Sequence, residues 1–314
     1  MSAFRRLALT LALAATALAV GCGRPTTPHP EIADALNQLG GQISDEDMQA
    51  LNYAVDEEGL RASQAARDVL VEKGLLPEEF EAPARDAAAV SIGGKQFTEQ
   101  EVLGEIMALM IEAHAGLRVN RRLNLGGTMI CFNALRAGDL DLYAEYTGTG
   151  LVNILDEEPT TDPEATYARV QEAFGEQYGL AWLEPLGFNN TYTLTMRRQQ
   201  AEEIGIRTIS DLAEHVRSGD EPVLTAAFDD EFFTRPDGYP GLAGHYGFQF
   251  ARSPRQMDIG LMYRACADGT VDVINAFATD GRIQAYDLVV LEDDKDYFPP
   301  YFAAPLVRSD VLGR

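Results

Sequence analysis

From residue 90 onward, the chain alternates short apolar runs with longer stretches whose apolar residues recur at helical spacing. The apolar runs predict β-strands at residues 90–93, 117–123, 139–146, 180–186, 192–196, 223–227, 271–276, 288–291 and 304–307. The intervening stretches predict helices at residues 98–114, 128–136, 163–178, 210–217 and 257–267, with another around Ala201 and a loop at residues 229–241. Thr98 and Glu101 have the spacing of a capping box. Strands and helices in this alternation are typical of parallel sheets, so the predicted fold class is α/β.

The predicted strand at residues 139–146 organises the rest of the chain. Its residues alternate, with Leu140 and Leu142 on one face and Tyr143 on the other. A Thr-Gly-Thr turn follows and leads into a helix, which places Tyr146 and Thr149 at the carboxyl end of a strand. Open α/β sheets bind their ligands at such positions. The alternative interpretation is that Tyr146 only packs against its neighbours.

The first 22 residues have the pattern of a bacterial lipoprotein signal peptide. Two arginines precede an apolar run, and the run ends in Leu-Ala-Val-Gly followed by Cys22. This ending predicts lipidation at Cys22 and an extracytoplasmic protein anchored by lipid. Simple secretion with cleavage nearby is the alternative.

A helical block separates this signal from the α/β part. Residues 23–29 are a polar, proline-containing linker, and residues 30–76 predict three helices, at 30–39, 44–55 and 63–73. Residues 77–89 are rich in proline and alanine and predict a second linker.

Composition restricts the partners of the protein. The 314 residues include 49 acidic and 25 basic ones, for a net charge of −24. Such a charge repels nucleic-acid phosphates and anionic lipid surfaces, so we expect neither to be bound through a basic face. The acidity itself is typical of a solvated surface.

Few residues suggest metal or catalytic chemistry. The four histidines are scattered, and no Cys/His cluster has metal-ligand spacing, so we expect no metal site and no cofactor. Cys131 and Cys266 lie within helical patterns, which favours two buried thiols over a disulfide. The chain contains no nucleophile elbow, phosphate-binding loop or dinucleotide fingerprint.

Aromatic and basic residues recur where predicted strands end. They are Lys95, Tyr146, Tyr192, Arg235, Phe277 and Tyr301. Each one alone is compatible with a place in the core or at the rim of the protein. All but Phe277, which directly precedes one of them, lie in a series of motifs: Gly93-Gly-Lys-Gln-Phe-Thr-Glu-Gln100, Asn124-Leu-Gly-Gly-Thr128, Glu145-Tyr-Thr-Gly-Thr149, Gly187-Phe-Asn-Asn-Thr-Tyr192, Arg235-Pro-Asp-Gly238, Thr279-Asp-Gly-Arg282, Glu292-Asp-Asp-Lys295 and Pro299-Pro-Tyr301.

These motifs resemble those of the substrate-binding proteins of quaternary-amine ABC transporters, which take up glycine betaine, proline betaine, carnitine or choline. The resemblance covers nearly all of residues 90–312, in order. It implies a two-lobed, periplasmic-binding-protein-like clamp of type II, with residues 90–188 plus 302–314 in lobe 1. Residues 189–301 would form lobe 2 and contain the hinge crossovers. It also implies a monomeric, non-catalytic receptor that delivers its ligand to an ABC permease.

The same resemblance implies which residues bind the ligand. The aromatic cage would consist of Tyr146, Tyr192, Phe277 and Tyr301. A carboxylate would be bound by Lys95, Arg235 and Thr149, with Asn190 as a further polar contact. The chemistry agrees, because a trimethylammonium group has no N–H to donate and aromatic faces can replace its water, whereas a carboxylate requires donors such as Lys and Arg.

Lys95 and Arg235 also bear on the choice of ligand. Beside choline, which has no carboxylate, two such cations in a closed cleft would lack a partner. We therefore expect glycine betaine or proline betaine to bind well ahead of choline. A choline or carnitine receptor, a sensor domain that reports the ligand to a membrane partner, and an enzyme acting on a quaternary amine are the alternatives.

The chain departs from the family pattern in two ways. Phe277 stands where the family carries tyrosine, which removes a hydroxyl group. The helical tail that normally follows the last strand of the family resembles residues 30–76 here, most clearly at residues 43–53. This indicates a circular permutation, with the moved helices expected to pack on lobe 1 beside the last strand. An unrelated helical cap is the alternative.

Overall fold

The computed structural model of the protein describes residues 27–314. The predicted signal segment 1–22, including Cys22, and most of the linker at 23–29 lie outside the described residues.

The described chain contains helices and strands in alternation after an all-helical start. The helices are α1 Glu31–Asn37, α2 Asp45–Asp56, α3 Ala62–Glu72, α4 Thr98–Met110, α5 Thr128–Ala137, α6 Pro163–Tyr178, α7 Arg198–Ile204, α8 Ile209–Ser218, α9 Asp230–Thr234, α10 Tyr239–Tyr246, α11 Ile259–Ala267 and α12 Arg282–Ala285, with π-helical turns at Ile111–Ala115 and Thr149–Ile154. The strands are β1 Ala89–Gly93, β2 Arg118–Arg122, β3 Leu142–Tyr146, β4 Leu180–Trp182, β5 Tyr192–Arg197, β6 Ala226–Phe228, β7 Arg255–Gln256, β8 Val273–Phe277, β9 Leu288–Val290 and β10 Ala303–Arg308.

The strands form two five-stranded sheets of the same design. The order is β2-β1-β3-β10-β4 in the first sheet and β7-β6-β8-β5-β9 in the second. In each sheet, one strand runs antiparallel to both of its neighbours: β10 pairs with β3 and β4, and β5 pairs with β8 and β9. These two strands are the first ones after the chain crosses between the sheets. The predicted two-lobed α/β architecture is confirmed, with the first sheet in lobe 1 and the second in lobe 2.

The two chain crossings pair with each other. Asn189 forms an isolated antiparallel bridge with Phe302. Next to it, the backbone N–H of Asn190 donates to the carbonyl of Tyr301, and the N–H of Tyr301 donates to the Asn189 side chain at 2.7 Å. The hinge between the lobes is therefore a short two-stranded link, and two of the predicted site residues lie on it.

At three places the structure differs from what the sequence patterns predicted. In β3 all five residues are buried, on both faces, although the alternation had suggested two faces of different character. The capping box at Thr98 is wrong, because Phe97 is the N-cap of α4 and Thr98 is already its first helical residue. The Thr98 hydroxyl donates to Asp56 of α2. The predicted loop at 229–241 is also wrong, since Asp229 caps α9 by accepting from two backbone N–H groups and α10 begins at Tyr239.

The amino-terminal helices lie against both lobes. α2 and α3 pack on α4 of lobe 1, and the N–H of His29 donates to the carbonyl of Val311, just past β10. On the other side, α2 reaches lobe 2, where Gln49 donates to the carbonyl of Ala278 at 3.0 Å and Asp56 lies 3.3 Å from the Arg282 guanidinium. The sequence had not predicted this second contact.

We expect Gly281→Ala to weaken the contact between α2 and lobe 2. A methyl group at Gly281 would lie 2.5 Å from Cβ of Tyr53 and 2.9 Å from the carbonyl oxygen of Gln49, so the two elements must separate. The expected loss is about 1–3 kcal/mol of unfolding free energy, measured by denaturant titration. Gly244→Ala is the matched control, because nothing lies within 4 Å of a methyl group there. Equal stability of the two variants would contradict this packing.

Candidate ligand-binding site

A cavity of about 700 Å³ lies between the two sheets, beside the hinge. All eight binding residues predicted from the sequence line it: Lys95, Tyr146, Thr149, Asn190, Tyr192, Arg235, Phe277 and Tyr301. They come from lobe 1, from lobe 2 and from both crossings, so the cavity exists only when the lobes are together.

Strand ends bring the rings into one place. Tyr192, the first residue of β5, is directly opposite Phe277, the last residue of β8, in the antiparallel register. Their ring centres lie 5.4 Å apart. Tyr301 meets Tyr192 edge to face at 5.6 Å, and Tyr146 ends β3 across the cavity. Three of the four predicted cage rings are thus in direct contact.

A fifth ring, that of Phe97, joins the predicted four. It stacks parallel to Phe277 at 5.5 Å and lies 6.4 Å from the Tyr146 ring. Phe97 therefore connects the lobe 1 and lobe 2 parts of the aromatic wall. Sequence reasoning missed it as a site residue, although an aromatic residue in the loop after the first strand was a usable signal. Phe277 has ring neighbours on two sides, so its packing does not depend on the hydroxyl that the family's tyrosine would carry.

The two predicted cations are already paired with carboxylates. Lys95 Nζ lies 2.6 Å from Oε1 of Glu145, and both side chains are buried. Arg235 forms a two-pronged pair with Asp237 at 2.6 and 2.8 Å and also donates to the Thr149 hydroxyl at 3.2 Å. The expectation that these cations would lack a partner beside choline is therefore wrong, because each is already paired with a carboxylate of the protein.

These cations also face the aromatic wall. Lys95 Nζ lies 5.1 Å from the centre of the Tyr146 ring, and the Arg235 guanidinium carbon lies 5.4 Å from that of Tyr192. Both distances are within the range of cation–π attraction. The two tyrosine rings are thus held in place by charges of the protein on one side.

A carboxylate from lobe 2 closes the cavity against lobe 1. Glu231 accepts hydrogen bonds from the backbone N–H of Thr128 at 2.5 Å and from its hydroxyl at 3.0 Å, at the start of α5. Burial opposes its ionisation, but Lys95, Arg235 and the Thr128 hydrogen bonds outweigh burial and lower the Glu231 pKa. Sequence reasoning had not singled out this residue.

Asn190 points its amide at a second acid that the sequence analysis missed. Its Nδ2 donates to Oε1 of Glu99 at 2.8 Å, and Glu99 also accepts from the Tyr146 hydroxyl at 2.6 Å. Glu99 is 2% exposed and lies behind the aromatic wall. It escaped notice because it stands at the start of a helix, where an acidic residue has an ordinary explanation.

The described residues offer little for metal or thiol chemistry. Within residues 27–314 no group of His, Cys, Asp and Glu side chains is arranged to hold a metal ion. Cys131 and Cys266 are both free and buried, as predicted, and burial raises the pKa of each thiol to about 11.

Among residues 27–314, no helix has the length and apolarity to cross a bilayer.

Two lobes joined by a paired hinge, with an aromatic and charged cavity between them, define a solute-binding protein of the periplasmic-binding-protein class. Comparison with known families then identifies the chain as a member of the family described as the substrate binding domain of the ABC-type glycine betaine transport system. The match covers residues 26–72 and 88–314. The chain belongs to a family of non-enzymatic binding proteins that work with ABC transporters, which confirms the family predicted from its motifs.

Named relatives and solved structures agree with this assignment. The glycine-betaine-binding protein of Pseudomonas aeruginosa is 43% identical over 242 residues, which are 75% of this chain and 76% of the relative. The carnitine transport binding protein of Listeria monocytogenes is 37% identical over 225 residues, 71% of each chain. A crystal structure of a glycine betaine/carnitine/choline ABC transporter has 35% identity and a TM-score of 0.58, over 71% of this chain and 81% of that one.

We expect Glu145→Gln to destabilise the protein strongly. The change leaves the Lys95 ammonium buried without its carboxylate, and breaking such a pair costs about 3–5 kcal/mol. Unfolding free energy from denaturant titration of the ligand-free protein measures the loss. The control is Glu172→Gln, because the Arg169–Glu172 pair is largely exposed and its loss should cost less than about 1 kcal/mol. A Glu145→Gln protein as stable as the control would mean that the buried pair is absent in solution.

Proposed function

We propose that the protein is an extracytoplasmic lipoprotein that captures a betaine-type quaternary ammonium compound and delivers it to an ABC permease. The carrying observation is that the four predicted cage rings, together with Phe97, line one cavity that also contains Lys95 and Arg235. Glycine betaine or proline betaine is the favoured ligand. A receptor for choline or carnitine is the second candidate, because the paired cations leave a ligand without a carboxylate chemically acceptable.

The aromatic wall supports a methylated cation as one end of the ligand. A quaternary ammonium group has no hydrogen to donate, so polar acceptors cannot replace its hydration shell, whereas the negative faces of aromatic rings can. Glycine betaine and carnitine, after which two relatives are named, both combine such a head with a carboxylate.

Arg235 supports a carboxylate as the other end. Its Nε and Nη2 are used by Asp237, but its Nη1 makes only a 3.4 Å contact, with Glu231. An arginine has five donors in a planar fork, so Nη1 can bind a ligand carboxylate without breaking the Asp237 pair. Thr149, next to the same guanidinium, supplies a hydroxyl.

Titration calorimetry with glycine betaine, proline betaine and choline tests the choice of ligand. We expect the two betaines to bind at least about tenfold more tightly, because each forms a charge-assisted hydrogen bond that choline lacks. Tighter choline binding would overturn the assignment of Arg235 and Lys95 to a carboxylate. Recovery of unaltered betaine after prolonged incubation with pure protein excludes the enzymatic alternative.

We expect Phe277→Leu to weaken betaine binding by about tenfold or more, since an aliphatic side chain offers no negative face to the ammonium group. The measurement is the same titration. Phe250→Leu is the control, because Phe250 packs with Phe228 and Tyr239 in lobe 2 and does not line the cavity. If both variants bind like the unaltered protein, the cage is not the ammonium site.

Lipid anchoring rests on the sequence around Cys22. We expect Cys22→Ser to release the protein from the membrane fraction and to abolish incorporation of radiolabelled palmitate in a bacterial host. The unaltered protein, expressed in parallel, should remain with the membranes. Membrane association of Cys22→Ser without label would indicate a different anchor.

We also propose that residues 30–76 are the family's carboxyl-terminal helices, moved to the front by circular permutation. The family match breaks between residues 72 and 88, around the predicted linker. In addition, His29 is hydrogen-bonded to Val311, so residue 30 could follow the last strand directly. A reordered chain with residues 30–76 placed after residue 314 should fold and bind betaine with the same affinity. Failure of that chain to fold would contradict the proposal.

A further inference from the structure

Glu99 lies at the point where four parts of the chain meet. It is the second residue of α4, and its carboxylate accepts hydrogen bonds from four neutral side chains. The donors are Asn52 of α2, Tyr146 at the end of β3, Asn190 in the first crossing and Thr279 after β8. One carboxylate thus connects the amino-terminal helices, both lobes and the hinge.

Each oxygen of the carboxylate accepts a hydrogen bond from an amide group. Amide NH₂ groups only donate, and Asn190 donates to Oε1 while Asn52 donates to Oε2. Burial raises the Glu99 pKa, and the four hydrogen bonds oppose that rise. Each oxygen is occupied by an N–H donor, which favours the ionised form.

Glu99 nevertheless has no counter-ion of its own. Within residues 27–314, no Lys, Arg or His nitrogen lies within 4 Å of its carboxylate, whereas the buried acids Glu145 and Asp237 each have one. Hydrogen bonds satisfy the oxygens but do not neutralise the charge, and an uncompensated buried charge is costly.

Asp229 is another buried acid at the cavity without a basic partner, but its role is local. It caps α9 by accepting from the N–H groups of Glu231 and Phe232, and it also accepts from the Asn275 amide at 2.6 Å. Helix capping accounts for this charge. Capping does not account for the charge of Glu99, because its four hydrogen bonds come from side chains of other elements and not from the first N–H groups of its own helix.

The position of Glu99 behind Tyr146 indicates what compensates it. We propose that Glu99 is the counter-ion of the ligand's quaternary ammonium group and acts on it from behind the aromatic wall, through Tyr146. A phenol hydroxyl that donates a hydrogen bond to a carboxylate gives its ring more electron density. A more negative ring face attracts a cation more strongly. The charge of Glu99 adds direct attraction through a medium of low dielectric constant. Glu99 is thus a specificity-determining residue that never touches the ligand. This inference rests on the proposed function.

The test separates charge from shape. Glu99→Gln preserves the size of the side chain and removes the charge. Binding is measured for glycine betaine and for 3,3-dimethylbutanoate, its neutral-headed analogue in which a tert-butyl group replaces trimethylammonium. Titration calorimetry is used for tight binding and ligand-observed NMR for weak binding. We expect the variant to bind glycine betaine about 10- to 100-fold more weakly and 3,3-dimethylbutanoate within about threefold of the unaltered protein.

Two further variants test whether the effect of Glu99→Gln comes from its charge. Thr279→Val removes one hydrogen bond to Glu99 from outside the cavity and leaves the carboxyl group in place, so it should weaken betaine binding less than Glu99→Gln does. Tyr146→Phe keeps the ring and removes the link to Glu99, so it should weaken betaine binding by about three- to tenfold without affecting the neutral analogue. If Glu99→Gln fails to fold, Tyr146→Phe alone tests the inference.

The possible failures are distinguishable. Equal weakening of both ligands by Glu99→Gln would show a merely structural role and overturn the inference, as would unchanged betaine affinity in both Glu99→Gln and Tyr146→Phe. If the unaltered protein binds no quaternary amine at all, the proposed function itself fails.

Discussion

The carboxylates Glu99 and Glu145, buried between the lobes, accept hydrogen bonds from distant parts of the chain. Lys95 and Glu145 are 50 positions apart, and Glu99 and Thr279 are 180 apart. The Lys95–Glu145 pair lies within lobe 1, whereas the Glu99–Thr279 hydrogen bond joins lobe 1 to lobe 2 and so favours the arrangement in which both sheets face the same cavity. The binding site and the closed arrangement of the lobes are therefore stabilised by the same contacts.

The amino-terminal helices extend this coupling beyond the two lobes. α2 packs on α4 of lobe 1, yet Gln49, Asn52 and Asp56 all contact the segment from Ala278 to Arg282 in lobe 2. The lobes are otherwise joined by the two crossings paired at Asn189 and Phe302. The helical segment thus adds direct contacts between the two lobes in this arrangement.

How far the sequence could predict this structure depended on the range of the interactions. The order of strands and helices follows from local periodicity, and α6 begins after the Asp162 cap where it was expected. The predicted cage residues line one cavity because each stands at or near a strand end, in or beside a recognisable motif. The capping box at Thr98 failed because α4 begins one residue earlier than expected, with Phe97 as its N-cap. The pairing of Arg235 with Asp237 also escaped, although only two positions separate them, because no local pattern shows which buried charges face each other. Glu99 could be understood only once its four donors were known.

The charges around the cavity place the two ends of a zwitterion differently. Near Arg235, the acids Asp237 and Glu231 both contact the guanidinium and neutralise its charge. A ligand carboxylate there would bind Nη1, whose contact with Glu231 is long, at 3.4 Å. Near Tyr146, Lys95 is neutralised by Glu145, whereas the Glu99 carboxyl group behind the ring has only neutral hydrogen-bond donors. In the proposed complex, ring faces and the Glu99 carboxyl group favour a cationic head on that side. The proposed partners of the ligand carboxylate are Lys95, Arg235 and Thr149, and both cations are already paired with acids of the protein. Under the proposed function, the aromatic cage therefore selects for the ammonium group, and the acid end of the ligand refines the selection among quaternary amines.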